Sequence, residues 1–250
     1  MTGERWPLTP RERERYERQI PLLGEEGQER LLHSSVCIAG AGGLGSPVAF
    51  YLAAAGIGRI RIIDSDRVSR SNLNRQIIHA EADIGRSKVD SAARRLEALN
   101  PDIEVDPRPL HLTEENVVNV VRGMNLVVDA LDNYPARYIL NRAACMHTVP
   151  LVHAAVNGYC GQVMAIIPRK TACLQCAIPH PPEETPPPVL GTTAGILGCI
   201  QANEAIRILL GEGTVMGDAL HVWDGRAGTW DMIPVKRDPA CRACGAGGKG

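Results

Sequence analysis

Three groups of side chains in this sequence have the types and spacing to do chemistry. The first is a glycine turn, Gly40-Ala41-Gly42-Gly43-Leu44-Gly45-Ser46, between the apolar run Val36 to Ala39 and a helix-like segment, Pro47 to Ala55, that stops at Gly56. Strand, turn and helix in that order form a phosphate cradle. Gly40, Gly42, Gly43 and Gly45 let backbone N–H groups approach a ligand, and the helix N-terminus adds unpaired donors at the positive end of its dipole. A second strand, Arg59 to Ile63, ends at Asp64, 19 residues beyond Gly45. That is close to the offset at which a carboxylate binds a ribose hydroxyl in dinucleotide folds. Turn and carboxylate together imply a nucleotide, and leave NAD, FAD and ATP all open.

The second group is Arg75, Lys88 and Asp132, which flank or enter the crevice predicted at the carboxyl ends of the strands. Two cations suit negative charge developing at phosphorus. A carboxylate suits Mg²⁺, which keeps most of its waters and takes few protein ligands. Hydride transfer needs none of the three, so an NAD-dependent oxidoreductase would explain the turn and Asp64 but not this group. The third group is the pair of C-x2-C motifs, Cys173/Cys176 and Cys241/Cys244, with 64 residues between them. Four thiolates suit a closed tetrahedral Zn²⁺ site that contributes folding energy and ties the C-terminal tail to the middle of the chain. Neither pair opens a helix after a parallel strand, which argues against a redox dithiol.

The elements that must position these groups alternate along the chain. Thr9 to Ile20 reads as a capped, charge-laced helix and 27–32 as a short one. Helices follow at Val89–Leu99, from Thr113 to about Arg122 with Thr113-Glu114-Glu115 as its cap, and at Ala136–Met146. Strands are predicted at 103–105, at Leu126 to about Asp132, and at Leu151–Val156. This pattern implies right-handed βαβ units and a mostly parallel sheet. From Tyr159 the pattern turns antiparallel, and a last strand pair, Ala219–Trp223 and Thr229–Pro234, follows a long apolar helix, Ala194–Leu210. A proline-rich loop, 179–188, precedes that helix and is expected to be exposed and mobile. The fold class is therefore α/β: a Rossmann-like, mostly parallel sheet with helices on both faces, extended by antiparallel strands and a four-cysteine zinc site. It reads as a single unit, with a helical arm at 1–32, a nucleotide-binding core at 33–170, and the loop, long helix and zinc-pinned part at 171–250.

With 44% hydrophobic residues in 250 the chain can bury a sizeable core. Its formal charge of −1 gives no electrostatic reason to expect nucleic acid or an anionic membrane as partner. Residues 31–58 lack Asp, Glu, Lys and Arg, but the glycines and Pro47 interrupt them too often for a membrane span. The N-terminal residues lack the apolar core of a signal peptide, so a cytoplasmic location is expected. Of the remaining thiols, Cys37 and Cys199 read as small core residues, Cys160 as exposed, and His153 and His180 as packing and loop residues.

Taken in order, Arg15-Tyr-Glu-Arg-Gln19, the turn at 40–46, Asp64-Ser-Asp66, Ser71-Asn-Leu-Asn-Arg-Gln76, Gly85-Arg-Ser-Lys88, Asp129-Ala-Leu-Asp-Asn133 and the paired cysteines resemble the MoeB/ThiF/HesA family. These are bacterial relatives of the ubiquitin-activating enzymes, and the resemblance covers nearly the whole chain. It implies that ATP·Mg²⁺ is bound and that the C-terminal glycine carboxylate of a small ubiquitin-like sulfur-carrier protein ending in Gly-Gly is adenylated, with release of pyrophosphate. It implies that Asp64 holds the ribose, that Arg75 and Lys88 stabilise the phosphates, and that Asp132 holds the metal. Asp66, Asn72, Asn74, Gln76 and Asn133 then complete or order the site, and Arg18 reaches the ATP of the second subunit of a homodimer. Many members carry a transfer cysteine in the loop before the long helix. Here that position falls near Glu184 and the loop has no cysteine, so adenylation is expected without a covalent step there, and a non-catalytic carrier-binding subunit stands as the alternative.

Overall fold

A computed structural model describes residues 7–181 and 188–245. Two N-terminal helices, α1 (Pro10–Arg15) and α2 (Ile20–Leu32), lead into β1 (Ser35–Ala39), α3 (Gly45–Ala55), β2 (Arg59–Ile63), α4 (Lys88–Leu99) and β3 (Glu104–Arg108). Then come α5 (Val117–Val121), β4 (Leu126–Asp129), α6 (Tyr134–His147), β5 (Leu151–Asn157), β6 (Cys160–Ile166), α7 (Leu174–Ala177), α8 (Gly191–Leu210), β7 (Ala219–Asp224) and β8 (Thr229–Pro234). The eight strands form one sheet in the order β3-β2-β1-β4-β5-β6-β7-β8. β1 to β5 are parallel and β6 to β8 antiparallel.

The sheet is covered on both faces because its central strands are apolar on both. In β1, Val36 and Ile38 join a core with α3, α4 and α8, while Cys37 and Ala39 face a second core with α5, α6 and α7. Such continuous apolar strands suit a parallel sheet between two helical layers. At the β3 edge the pattern changes to Glu104-Val-Asp-Pro-Arg108, where Asp106 pairs with Arg59, Arg61 and Arg108. Pro107 is tolerated there because an edge strand can spare a donor.

The strand order reverses between β1 and β4. β1 leads outward to β2 and β3, while β4 leads to β5, so a crevice opens beyond the carboxyl ends of β1 and β4. The glycine turn leaves β1 at that point and Asp132 follows β4.

Three local readings change. The helix expected over 9–20 is two pieces. The Thr9–Glu12 capping box starts α1, which ends at Tyr16, a buried side chain that docks against Gly56. α5 is shorter than its acidic start suggested, since Asn116 ties down the segment before it by accepting from the Thr113 N–H and donating to the His111 carbonyl. Cys199 is exposed on α8 and is not a core residue, whereas Cys37 is fully buried, and burial pushes its thiol up to about 12. The Glu184 position lies outside the described residues.

Candidate active site

The turn at 40–46 is held by its own backbone crowding. Gly40 has φ +105°, and a Cβ there would collide with the Ala130 carbonyl at the end of β4. A Cβ at Gly45 would collide with the Gly40 carbonyl, so neither position admits another residue without moving the chain. Three further contacts fix the peptide planes. Ala41 N–H donates to Asp64 Oδ2 at 2.9 Å, the Ala41 carbonyl meets His79 Nε2 at 3.0 Å, and the Gly42 carbonyl accepts from Ser46 N and Oγ at 3.0 and 2.6 Å. The amides of Gly42 and Gly43 have no acceptor among the described residues. α3 begins here without a side-chain cap; Ser46 N–H is spent on the Gly42 carbonyl and Pro47 has no N–H, so at this helix start the Gly45 N–H is the one that lacks an acceptor among the described residues.

Around the turn the predicted residues divide by the partners they already have. Asp64 accepts from Ala41 N–H and Asp66 N–H, so it braces the turn and the following loop while it remains at the crevice. Lys88 is buried, with Nζ 2.8 Å from Asp66 and 3.9 Å from Asp64. Arg75 lies on the other side: a Cβ built on Gly43 would sit 3.4 Å from Arg75 Cγ and 3.2 Å from Ala194 Cβ of α8. Its Nη1 donates only to neutral acceptors, the Ser71 carbonyl and Asn74 Oδ1, so among the described residues no carboxylate neutralises it. Gln76 is buried against Gly42, and its Oε1 has no partner among the described residues.

Asn72 orders the loop, accepting from the Ser69 N–H. Asn133 caps α6 by accepting from Ala136 N–H and also donates to Asp132 Oδ1 at 3.3 Å, and Asp132 Oδ2 has no partner among the described residues. An exposed carboxylate with an oxygen to spare fits a hard, water-rich cation, and a cradle of open amides with an uncompensated guanidinium fits a nucleotide phosphate.

Arg18 is exposed in the turn between α1 and α2, and its neighbours are anchored to the wrong end of α3 for it to join this group. Gln19 Nε2 donates to the Ala55 carbonyl and Tyr16 packs on Gly56. α3 places some 16 Å, at about 1.5 Å per residue, between that end and the turn.

Sequence reasoning missed a buried polar group beneath Asp132. The parallel register pairs Asp129 with His153, and His153 Nδ1 is 2.7 Å from Asp129 Oδ2. Gln162 Nε2 lies 3.1 Å from His153 Nε2, which makes Nε2 the acceptor and places the ring proton on Nδ1. Asp129 Oδ1 accepts from Leu131 N–H, and buried Arg137 donates to the Leu131 carbonyl at 2.5 Å, so the backbone leading to Asp132 is held from both sides. A carboxylate opposite a histidine 24 residues away is invisible until strand register is known.

Burial holds the His153 pKa below the usual imidazole range, and the Asp129 contact opposes but does not outweigh it. A histidine kept neutral in the fold takes up a proton on unfolding. Its contribution is complete above about pH 6.5 and is lost as pH falls below that value. The thermal unfolding midpoint is therefore expected to decline between about pH 6.5 and 5, and a His153→Gln protein should lose part of that slope; an unchanged slope would contradict the neutral assignment.

The four paired cysteines converge. Their Sγ atoms lie within 4.8 Å of one another, with 3.8 Å for Cys173–Cys176, 3.7 Å for Cys173–Cys241 and 3.5 Å for Cys176–Cys244. Four sulfurs at about 2.3 Å from a tetrahedral Zn²⁺ stand about 3.8 Å apart, so the donor set fits that ion in number, type and spacing. Asp238 N–H donates to Cys176 Sγ at 3.5 Å, as a thiolate ligand invites.

Comparison with known proteins agrees with this architecture. The SAMP-activating enzyme E1 of Haloferax volcanii is 42% identical over 243 residues, covering 94% of this chain and 90% of that one. The sulfur carrier protein adenylyltransferase of Thermus thermophilus is 41% identical over 255 residues, covering 96% and 93%. The adenylyltransferase and sulfurtransferase MOCS3 of Mus musculus is 40% identical over 257 residues, but this chain spans only 55% of its length. Among solved structures, E. coli MccB shares the fold with a TM-score of 0.85 at 21% identity, over 95% of this chain and 74% of that one. The ThiF family model matches residues 16–243, and with relatives of this identity over nearly the full length, the chain belongs to the ThiF family.

Proposed function

We propose that this protein is an adenylyltransferase that uses ATP and Mg²⁺ to activate the C-terminal glycine carboxylate of a small ubiquitin-like sulfur-carrier protein ending in Gly-Gly. The observation that carries this reading is the meeting, at the strand-order reversal, of an open amide cradle with an uncompensated Arg75 and the carboxylates Asp64 and Asp132. Kinship with proteins named SAMP-activating enzyme E1 and sulfur carrier protein adenylyltransferase supports it.

In the reaction a carrier carboxylate oxygen attacks the α-phosphorus. The bond from that phosphorus to the β-bridging oxygen breaks, and pyrophosphate leaves. The Gly42 and Gly43 amides and the α3 N-terminus hold phosphate oxygens, and Asp64 takes the ribose. Arg75 and Lys88 face the charge that accumulates as the bond breaks. Lys88 must share itself between Asp66 and the nucleotide. Asp132 would hold Mg²⁺, which supplies further charge neutralisation, and Asn133 orients that carboxylate. Asn72, Asn74 and Gln76 keep Arg75 and the loop in place.

Arg18 belongs to this scheme only from a second copy, as in a homodimer whose arm reaches the partner's crevice. The four-cysteine cluster takes Zn²⁺ as a structural ion. No helix among the described residues is long and apolar enough to cross a membrane, and a cytoplasmic enzyme is the reading we adopt.

The test is pyrophosphate release from purified protein, ATP, Mg²⁺ and candidate Gly-Gly carriers. Release that requires both ATP and a carrier supports the proposal. No release and no acyl-adenylate by mass spectrometry with any carrier, from protein that still binds carrier, would favour the non-catalytic subunit.

A further inference from the structure

His79 lies outside the set of residues assigned above, yet it touches the backbone of the phosphate cradle. It is buried on the segment between the 3-10 turns Arg70–Asn72 and Glu81–Asp83, with Nε2 3.0 Å from the Ala41 carbonyl and Nδ1 2.9 Å from Ser91 Oγ of α4. A carbonyl only accepts, so the bond to Ala41 requires the proton on Nε2. Nδ1 is then an acceptor, satisfied by the Ser91 hydroxyl. The reverse tautomer would bring two acceptors face to face at 3.0 Å, with nothing to compensate either in a buried site. Asp83 also draws on the Ser91 hydroxyl, beside the Ala80 N–H and the guanidinium of Arg94, but the Nε2 assignment stands on the Ala41 carbonyl alone.

The consequence follows from peptide geometry. In a planar trans peptide the carbonyl and the following N–H point in opposite directions. Holding the Ala41 carbonyl on His79 therefore turns the Gly42 N–H away from the protein side, just as holding the Gly42 carbonyl on Ser46 turns the Gly43 N–H. Both of these amides lack an acceptor among the described residues. The preceding peptide is fixed too, by Ala41 N–H on Asp64. A turn rich in glycine has many other conformations available, and without His79 the Ala41–Gly42 peptide is free to rotate and present its carbonyl, a repulsive group, to a phosphate.

We infer that His79 is a positioning residue that locks the Ala41–Gly42 peptide so that the Gly42 amide is aimed at a nucleotide phosphate. This rests on the reading of the turn as a phosphate cradle. It adds a residue that meets the cradle through its backbone and acts on phosphate affinity, not on the base or ribose.

The experiment compares wild type, His79→Leu and His79→Gln, with ATP, AMP and adenosine as probes in direct binding titrations. Glutamine keeps an N–H near the place of Nε2, and leucine does not. Expected is a loss of about tenfold or more in ATP and AMP affinity for His79→Leu, the scale of one hydrogen bond to a charged group, with adenosine affinity unchanged and His79→Gln close to wild type. Equal losses for adenosine and ATP, full ATP affinity in folded His79→Leu, or a glutamine variant as weak as the leucine one would overturn the inference.

Ring-nitrogen NMR of His79 in the nucleotide-free wild type decides the geometry separately. The neutral Nε2–H tautomer is expected, and the Nδ1–H tautomer overturns the assignment even if the variants fail to fold. Wild type that binds none of the three probes while showing the expected tautomer would instead overturn the nucleotide reading, and leave the peptide lock as a purely structural contact.

Discussion

Arg75→Ala is expected to slow carrier-dependent pyrophosphate release by about 100- to 1,000-fold, the range seen when one preorganised donor to developing charge is removed. Charge balance in the crevice sets this expectation. Lys88 already has Asp66 at 2.8 Å and Asp64 at 3.9 Å, whereas Arg75 rests on a carbonyl and an amide oxygen. Arg75 therefore supplies the positive charge not already committed to a protein carboxylate. Because its contacts are with neutral groups and its side chain is only half-buried, the variant should unfold at nearly the wild-type temperature. Arg75→Lys should recover only part of the rate, since an ammonium lacks the planar fork that engages two phosphate oxygens together. Measuring ATP affinity alongside turnover separates the effects. A fall in turnover much larger than the fall in affinity marks a group that acts on the transition state. A turnover within about threefold of wild type would remove Arg75 from the mechanism, since a transition-state donor is worth far more than that.

Cys241→Ser is expected to abolish zinc retention and to lower the unfolding midpoint on the order of 10 °C. A cross-link between distant segments contributes about 2–5 kcal/mol, and for a chain of this size each kcal/mol moves the midpoint by about 2–4 °C. Cys241 is buried against Cys173, so a hydroxyl there leaves a metal site one thiolate short. Metal analysis should give one zinc per wild-type chain and much less in the variant. Chelator treatment of the wild type should reproduce the lowered midpoint. Wild-type protein purified free of zinc and melting together with the variant would refute the assignment.

The crevice was readable in part because its components are local. An uncharged run ending in four glycines, a helix stopped by Gly56 and a strand ending in Asp64 announce themselves without tertiary information, and β2 matches its predicted bounds. The boundaries of α8 and α6 were less visible. α8 starts at Gly191, before the apolar stretch that signals it, and α6 starts at Tyr134, where Asn133 caps it. What could not be read were contacts that depend on strand order and register. His79 meets the turn 38 residues upstream, and Asp129 meets His153 across adjacent parallel strands. Sequence could at most have flagged His79 and His153 as histidines in apolar surroundings, the usual mark of a hydrogen-bonded core residue. Cys199 was misread for a related reason: α8 is apolar nearly all round, so composition alone does not say which face meets the sheet.

The two margins of the sheet are unlike in a way that bears on self-association. At β3 the outer strand carries Glu104, Asp106 and Arg108 together with Pro107, so an incoming strand would meet charge and a missing donor. At β8, among the described residues, the outer strand is Thr229-Trp-Asp-Met-Ile-Pro234, with Trp230, Met232 and Ile233 exposed. Strand addition, whether by an extended segment of another protein or by misassembly at high concentration, is disfavoured at the first margin and open at the second. A lysine in place of Met232 is the economical change for anyone seeking a better-behaved preparation.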